Sequence, residues 1–176
     1  SDHAVRTEEV NDPSCLLGAV VDANDVIWVL PDIFWDRADT GTQVEEMIKL
    51  MKRRKPLTWY AGKDHISGSI GPFLTKRMRA ERVHTYICEL PNHNRRKREL
   101  AMPIQGLAKL GMVRWPHFAH WWTAARREML SFDAGKHDDF VDALGCLGRG
   151  LAEMIRPEPP PAEELDYRPP DLSHLS

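Results

Sequence analysis

Short runs of hydrophobic residues occupy the N-terminal part of the chain. Apolar residues fill most of positions 15–21 and 26–30, and the connection at 22–25, DAND, is rich in turn-forming residues. Two apolar runs of strand length joined by such a connection predict a β-hairpin. Large apolar side chains recur at 31–36, so a third strand is expected there.

From position 42 onward, the spacing of apolar residues changes repeatedly between a helical and a strand-like period. Helices are predicted over 42–55, 71–82, 98–110 and 123–132, and strands over 57–61, 83–90 and 112–115. A basic last turn followed by proline, as at 52–56, is a typical helix end. This order predicts an α/β fold in which a mixed sheet, first an antiparallel meander and then parallel strands, is flanked by helices.

The last predicted helix begins with three carboxylates. The stretch 135–150, GKHDDFVDALGCLGRG, places Asp138, Asp139 and Asp142 within five residues. The apolar positions with helical spacing are Phe140, Leu144, Leu147 and Leu151. At about 100° per residue, Asp138 and Asp142 project away from this apolar stripe, and Asp139 lies on its flank. An acidic first turn also suits the positive end of a helix dipole, so this stretch alone fits an ordinary solvated helix start equally well.

Length, charge and cysteine content narrow the class of protein. The chain has 176 residues, which predicts one domain with its own core at 1–155, and the proline-rich residues 156–176 are expected to form a flexible tail. A net charge of −2 gives no global basic signature, so nucleic-acid contacts have to come from local patches. Three cysteines without paired spacing indicate thiols rather than a disulfide framework or a zinc site. No apolar run approaches the ~18 residues of a membrane span.

Two further acids are candidates to join the last helix at one site. Asp64 follows the predicted strand 57–61, and sites in open α/β sheets form outside the carboxyl ends of the strands. Asp2 precedes the hairpin. Converging carboxylates repel each other unless a cation is present, and their hard oxygen atoms favour Mg²⁺ or Mn²⁺. Two such ions about 4 Å apart would suit hydrolysis of a phosphodiester. Asp64 also fits the N-cap of the following helix, and Asp2 also fits a plain terminal residue.

Residues 2–151 resemble the C-terminal nuclease domain of phage terminase large subunits, which has an RNase H-like (resolvase-like) fold. The matching pieces are SDHAVRTEEVNDPSCLLGAVVD, SGSIGPFLTKRM and RWPHFAHWWTAARREMLSFDAGKHDDFVDALGCLGRG. The last piece is the most specific, with a Trp, an amphipathic helix, a Phe and then GKHDD followed by DA. The resemblance implies a metal-dependent endonuclease that cuts concatemeric viral DNA during packaging in the host cytoplasm.

The resemblance also implies roles for individual residues. Asp2 matches the acid of the family's first strand, and Asp139 matches the acid of its last helix. The middle acid departs from the family pattern, because Gly62 stands where many relatives have Glu, and Asp64, two residues later, is the candidate. The catalytic candidates are thus Asp2, Asp64 and Asp139, and the predicted ligands of Mg²⁺ or Mn²⁺ are these three and Asp142. Supporting candidates are Asp138, Asp142, His65 and His137, the histidines as ligands or proton carriers.

Basic residues near the predicted acids are the candidate contacts to double-stranded DNA, because phosphate contacts dominate affinity. Lys97 matches a basic position that recurs in the family. The candidates are Lys63, Lys97, Lys136, Arg95 and Arg98. The resemblance implies a portal protein and a small terminase subunit as further partners. It also implies an ATPase motor domain upstream in the same polypeptide, because the Walker A pattern does not occur in this chain.

Two other functions fit the same residues. One is a different RNase H-like nuclease, such as a junction resolvase. The other is a catalytically silent module that docks on DNA or a portal protein, an interpretation that the glycine at position 62 keeps open.

Overall fold

The computed structural model describes residues 13–62, 66–91, 95–132 and 138–154. The strands in these ranges are β1 Ser14–Leu16, β2 Ala19–Val21, β3 Ile27–Val29, β4 Phe34–Asp36, β5 Thr58–Gly62, β6 Tyr86–Leu90 and β7 Val113–Arg114. The α-helices are α1 Thr40–Arg54, α2 Gly71–Ala80, α3 Lys97–Lys109, α4 Trp122–Ser131 and α5 Asp139–Glu153, with a π-helical turn at Ile66–Ile70 directly before α2. The predicted alternation of strands and helices is confirmed, with the run 15–21 divided into two strands. The predicted tail at 156–176 lies outside the described ranges.

The predicted β-hairpin is formed by β2 and β3, which pair antiparallel with Val20 opposite Trp28. Asp22 closes the turn, because its Oδ1 accepts hydrogen bonds from the backbone N–H groups of Asn24 at 2.9 Å and Val26 at 3.0 Å. The indole Nε1 of Trp28 donates to the other oxygen of Asp22 at 2.9 Å. The side chain of Asp22 thus fixes the hairpin turn.

The third predicted strand, β4, pairs antiparallel with β1, so that it returns along the first run. In the registers of the two strand pairs, residues 17–18, between β1 and β2, lie opposite residues 30–33, between β3 and β4. The longer of these two segments contains Pro31, which has no backbone N–H to donate. Because the two segments differ in length, the hydrogen-bond ladder is interrupted, and β1 and β2 are separate strands.

The predicted parallel pairing is present twice. β3 pairs with β7 and β5 pairs with β6, both in parallel. Among the described residues, the strands form three small sheets, with orders β1-β4, β2-β3-β7 and β5-β6. Helix α5 contacts β1, β5 and β6, so it spans strands of separate sheets. The mixed α/β architecture with flanking helices is confirmed. No helix in the described ranges is long and apolar enough to cross a membrane.

The apolar stripe of α5 packs into one of two hydrophobic clusters. Phe140 is fully buried, and its ring centroid lies 5.4 Å from those of Trp35 and Trp121. Leu144 is buried in the same cluster, which also takes in side chains of β3, β7 and α4. The second cluster joins α1, α2, β5 and the π-helical turn. The helical spacing read from the sequence thus identifies the buried face of α5.

Helix α5 approaches α3 closely at two glycines. A Cβ at Gly148 would lie 2.7 Å from the backbone nitrogen and the Cβ of Ile104, and a Cβ at Gly145 would lie 3.3 Å from the carbonyl oxygen of Leu100. Any larger side chain at Gly148 would therefore push the two helices apart. This close packing holds the first turn of α3 beside the first turn of α5.

Candidate functional site

The first turn of α5 carries the three acids that the sequence singles out. Asp138 is the N-cap residue, but its side chain makes no capping hydrogen bond. Its carbonyl oxygen accepts from the N–H of Asp142 at 2.8 Å, which is the first backbone bond of the helix. Two of these acids pair with a lysine of α3, and the backbone that follows the third is held by an acid of α4.

On one side, Lys97 bridges Asp138 and Asp142. Its Nζ lies 2.6 Å from Oδ2 of Asp138 and 3.2 Å from Oδ2 of Asp142. The lysine side chain is 56% exposed, and both acids are partly exposed. The hydrogen bond to Asp138 raises the pKa of Lys97, so the ammonium form is favoured. Burial raises the pKa of Asp142, and the charge of Lys97 opposes this rise.

On the other side, a buried acid of α4 holds the backbone of α5. Glu128 is 7% exposed, and its Oε1 accepts hydrogen bonds from the N–H groups of Phe140 at 2.7 Å and Val141 at 3.0 Å. The first amides of a helix have no partner within the helix, so this carboxylate fills the role of a cap. Burial raises the pKa of Glu128, the two N–H groups oppose this rise, and the charge of Asp139 adds to it.

The charge of Asp139 reaches the side of the helix start where Glu128 lies, and the charge of Asp138 acts on Glu128 as well. The charge of Asp139 also acts on Cys15 of β1. Burial is the main reason why the pKa of the Cys15 thiol is raised, and the charges of Glu128 and Asp139 add to that effect. Asp139 is thus close enough to α4 and β1 for its charge to act on both.

Sequence analysis did not single out Glu128. The available signal was its position on α4, three residues after Ala125, which is fully buried. A charged residue at helical spacing on an apolar face requires a buried partner. The identity of that partner, the start of another helix, depends on tertiary packing and is not encoded in the local pattern.

A second acid that the sequence analysis passed over lies near the carboxyl end of β6. The Oε1 atom of Glu89 accepts from the N–H groups of Ile66 at 2.7 Å and Ser67 at 3.0 Å, which fastens the π-helical turn to this strand. At the neighbouring end of β5, a Cβ added to Gly62 would meet no atom of the described residues within 4 Å. Among these residues, position 62 therefore has room for a side chain at the end of a parallel strand.

The basic candidates of α3 have different environments. Arg95 and Arg98 are exposed at the start of the helix, where phosphate can reach them. Lys97, which is also a predicted DNA contact, binds the two acids of α5. The basic run at the end of α1 is engaged in ion pairs, Lys52 with Glu81 at 2.8 Å and both arginines that follow with Asp32.

Several predicted site residues lie outside the described ranges: Asp2, Lys63, Asp64, His65, Lys136 and His137. Of the four predicted metal ligands, the described ranges contain Asp139 and Asp142. Within those ranges, no group of three or more His, Cys, Asp or Glu side chains is arranged to hold a metal ion. The carboxylate oxygens of Asp139 are of the type that Mg²⁺ and Mn²⁺ prefer, so this donor fits the predicted ions.

Comparison with known proteins gives one match. A family model described as a terminase RNase H-like domain matches residues 4–147, which is well over half of the chain. This span contains the hairpin, the π-helical turn and the acidic start of α5. No curated protein and no solved structure matches the chain.

Proposed function

We propose that this chain, which belongs to the family of terminase RNase H-like domains, is a metal-dependent endonuclease domain that cuts concatemeric double-stranded DNA during viral genome packaging. The observation that carries the proposal is the position of Asp139. This acid opens the helix that contacts β1, β5 and β6, and it stands beside Asp138 and Asp142, which pair with Lys97.

The proposed ion ligands are Asp139 together with Asp2 and Asp64, all of which supply hard oxygen atoms. When bound, Mg²⁺ or Mn²⁺ supplies activation of the attacking water and stabilisation of the leaving 3′ oxygen, which in a two-metal site is shared between two ions. Asp142 is expected to contribute less to ion binding, because the Lys97 ammonium already lies 3.2 Å from its carboxylate. The role of the chain is to hold these carboxylates at one place.

The proposed DNA contacts begin at the exposed Arg95, just before α3, and Arg98, in its first turn, close to the acids of α5 because Lys97 connects the two helices. Arginine binds phosphate through a planar fork of donors, so these two residues would position the DNA backbone without reading its sequence. The further partners that we propose are a portal protein, a small terminase subunit and an ATPase motor upstream in the same polypeptide. The proposed site of action is the host cytoplasm during virion assembly.

Nicking of a supercoiled plasmid in Mn²⁺ tests this function. The wild type should convert the plasmid to open-circle and linear forms, and EDTA should prevent this. Asp139→Ala should lose activity by a factor of about 10² or more, because a carboxylate ligand of a catalytic ion is removed. Glu153→Ala is the matched control, since Glu153 is an exposed acid at the other end of the same helix.

The outcomes separate the proposed function from the alternatives. Cleavage of plasmid that requires both Mn²⁺ and Asp139 supports the terminase-type nuclease. Cleavage confined to branched DNA would favour a junction resolvase. Binding of DNA without metal-dependent cleavage by the wild type would contradict the nuclease and favour the docking module, to which the open space at Gly62 lends support.

A further inference from the structure

We propose that Glu128 is a positioning residue, which fastens the first turn of α5 from α4 and thereby fixes the direction in which Asp139 presents its carboxylate. The inference deepens the proposed function and rests on it where Asp139 is taken as an ion ligand. The fastening itself is a property of the fold, and it can be measured without any nuclease activity.

The two backbone amides that Glu128 binds directly follow Asp139 in the chain. One carboxylate oxygen, Oε1, accepts from the amides of Phe140 and Val141, the two residues that follow Asp139. Because a peptide unit is planar, fixing the N–H of Phe140 fixes the plane of the peptide that joins it to Asp139. The backbone from which the Asp139 side chain projects is therefore held by Glu128.

The usual means of fixing a helix start is not used here. The N-cap residue, Asp138, makes no side-chain capping bond, because its carboxylate is turned to Lys97 at 2.6 Å. Glu128, from another helix, supplies the missing acceptor. The cap therefore ties two helices together, whereas a local cap would order only its own turn.

The residues packed around Glu128 give its hydrogen bonds to α5 a rigid support. Ala125, one turn earlier on α4, is fully buried, and Trp121 is 5% exposed with its ring against Phe140. The indole Nε1 of Trp121 donates to the carbonyl oxygen of Pro31 at 2.8 Å. The buried face of α4 thus connects β3, β4 and α5, and Glu128 stands at the end of this face nearest to Asp139.

A carboxylate at this position is costly, which argues that its geometry matters. A buried charge is destabilising unless it is well hydrogen-bonded, and a neighbouring negative charge adds to the cost. The two amide hydrogen bonds offset the first cost, but the charge of Asp139 acts on Glu128 as well. A neutral acceptor of the same shape should therefore keep the hold on the amides, whereas removal of the acceptor should release them.

The first experiment measures amide hydrogen exchange by NMR in the wild type, Glu128→Ala and Glu128→Gln. In Glu128→Ala, the amides of Phe140 and Val141 should exchange about tenfold faster or more, the size expected from loss of a cap. In Glu128→Gln their protection should stay within about threefold of the wild type, because the side-chain amide oxygen still accepts. Unchanged exchange of Phe140 in a folded Glu128→Ala protein would overturn the proposal.

The second experiment measures plasmid nicking as a function of Mn²⁺ concentration. Glu128→Ala should need about tenfold more Mn²⁺ for half-maximal cleavage, since the ligand Asp139 is no longer held in place, and Glu128→Gln should restore the dependence to within about threefold. Glu153→Ala should match the wild type. A purely structural role would lower the amount of folded protein without moving the Mn²⁺ dependence, and that result would contradict the proposal.

The two measurements distinguish a failure of this inference from a failure of the proposed function. If the wild type does not cleave DNA, the nuclease proposal fails, and the exchange of Phe140 still tests whether Glu128 holds the helix start. If Glu128→Ala does not fold, Glu128→Gln decides the question. A folded Glu128→Gln protein that retains protection of Phe140 but loses its response to Mn²⁺ would show that position alone is not what Glu128 provides, and would overturn the proposal.

Discussion

The two sides of the first turn of α5 are held in different ways. On one side, the partly exposed Lys97 ammonium binds the carboxylates of Asp138 and Asp142. On the other side, the buried carboxylate of Glu128 binds two backbone amides next to Asp139. Exposed ion pairs typically contribute 0.2–1 kcal/mol, whereas hydrogen bonds to a charged group contribute about 1.5–3 kcal/mol. We therefore expect the Glu128 side to govern the geometry of the site.

This difference separates acids that the sequence places side by side. Asp138 and Asp142 share the ammonium of Lys97, so about half of their negative charge is compensated. The charge of Asp139 acts on Glu128 and on the thiol of Cys15. Acids of one helix start thus have different electrostatic surroundings.

The largest effect should come from separating α5 from α3, because both sides depend on the position of α5. In Gly148→Ala, the new Cβ would lie 2.7 Å from the backbone nitrogen of Ile104, and backbone cannot move aside as a flexible side chain can. We expect a loss of about 2–3 kcal/mol in the free energy of unfolding, measured by urea denaturation.

Gly106→Ala on α3 is the matched control for this substitution. A Cβ at Gly106 would meet nothing within 4 Å, so the same change should stabilise the helix by about 0.5–1 kcal/mol. Opposite signs for the two variants would identify the close approach of the helices as the cause. Equal stability of Gly148→Ala and the wild type would show that α5 can move away from α3 without cost.

The parts of the fold that were predictable from the sequence are those that depend on local spacing. The stripe of Phe140 and Leu144 identified the buried face of α5, and the polar connection at 22–25 identified the hairpin turn. The division of the first run into β1 and β2 was not predictable, because it follows from the unequal lengths of two arms that meet only in the folded sheet.

In the candidate site, too, only features that depend on local spacing were predictable from the sequence. Asp139 was found from its motif and its flank position on one helix. The hold of Glu128 on α5 and the pairing of Lys97 with Asp142 both join residues of different helices. No periodicity within a single helix encodes such contacts. The acids were therefore predictable as candidates from the sequence, but the partners that the structure gives them were not.

A smaller effect should come from the Lys97 side. Lys97→Met removes the ammonium and keeps most of the apolar stem, so the stability lost should be below about 1 kcal/mol. Salt should screen what remains, because the three side chains are partly exposed. Urea denaturation at low and high salt measures both expectations. A loss that exceeds 2 kcal/mol, or one that does not change with salt, would mean that the Lys97 side, and not the Glu128 side, contributes more to the stability of the helix start.

The smallest effect is a difference in pH dependence between the wild type and Glu128→Gln. Because burial raises the pKa of Glu128 in the folded protein, the folded state binds its proton more tightly than the unfolded state does. The contribution of Glu128 to stability is thus fully present below the ordinary pKa of Glu and is lost as pH rises through the raised pKa. Unfolding free energies of both proteins between about pH 4 and pH 7 measure it. The wild type should lose stability relative to Glu128→Gln as pH rises. If the wild type instead gains stability relative to Glu128→Gln as pH rises, the two amide hydrogen bonds outweigh burial. The carboxylate would then stabilise the helix start by its charge as well as by its position.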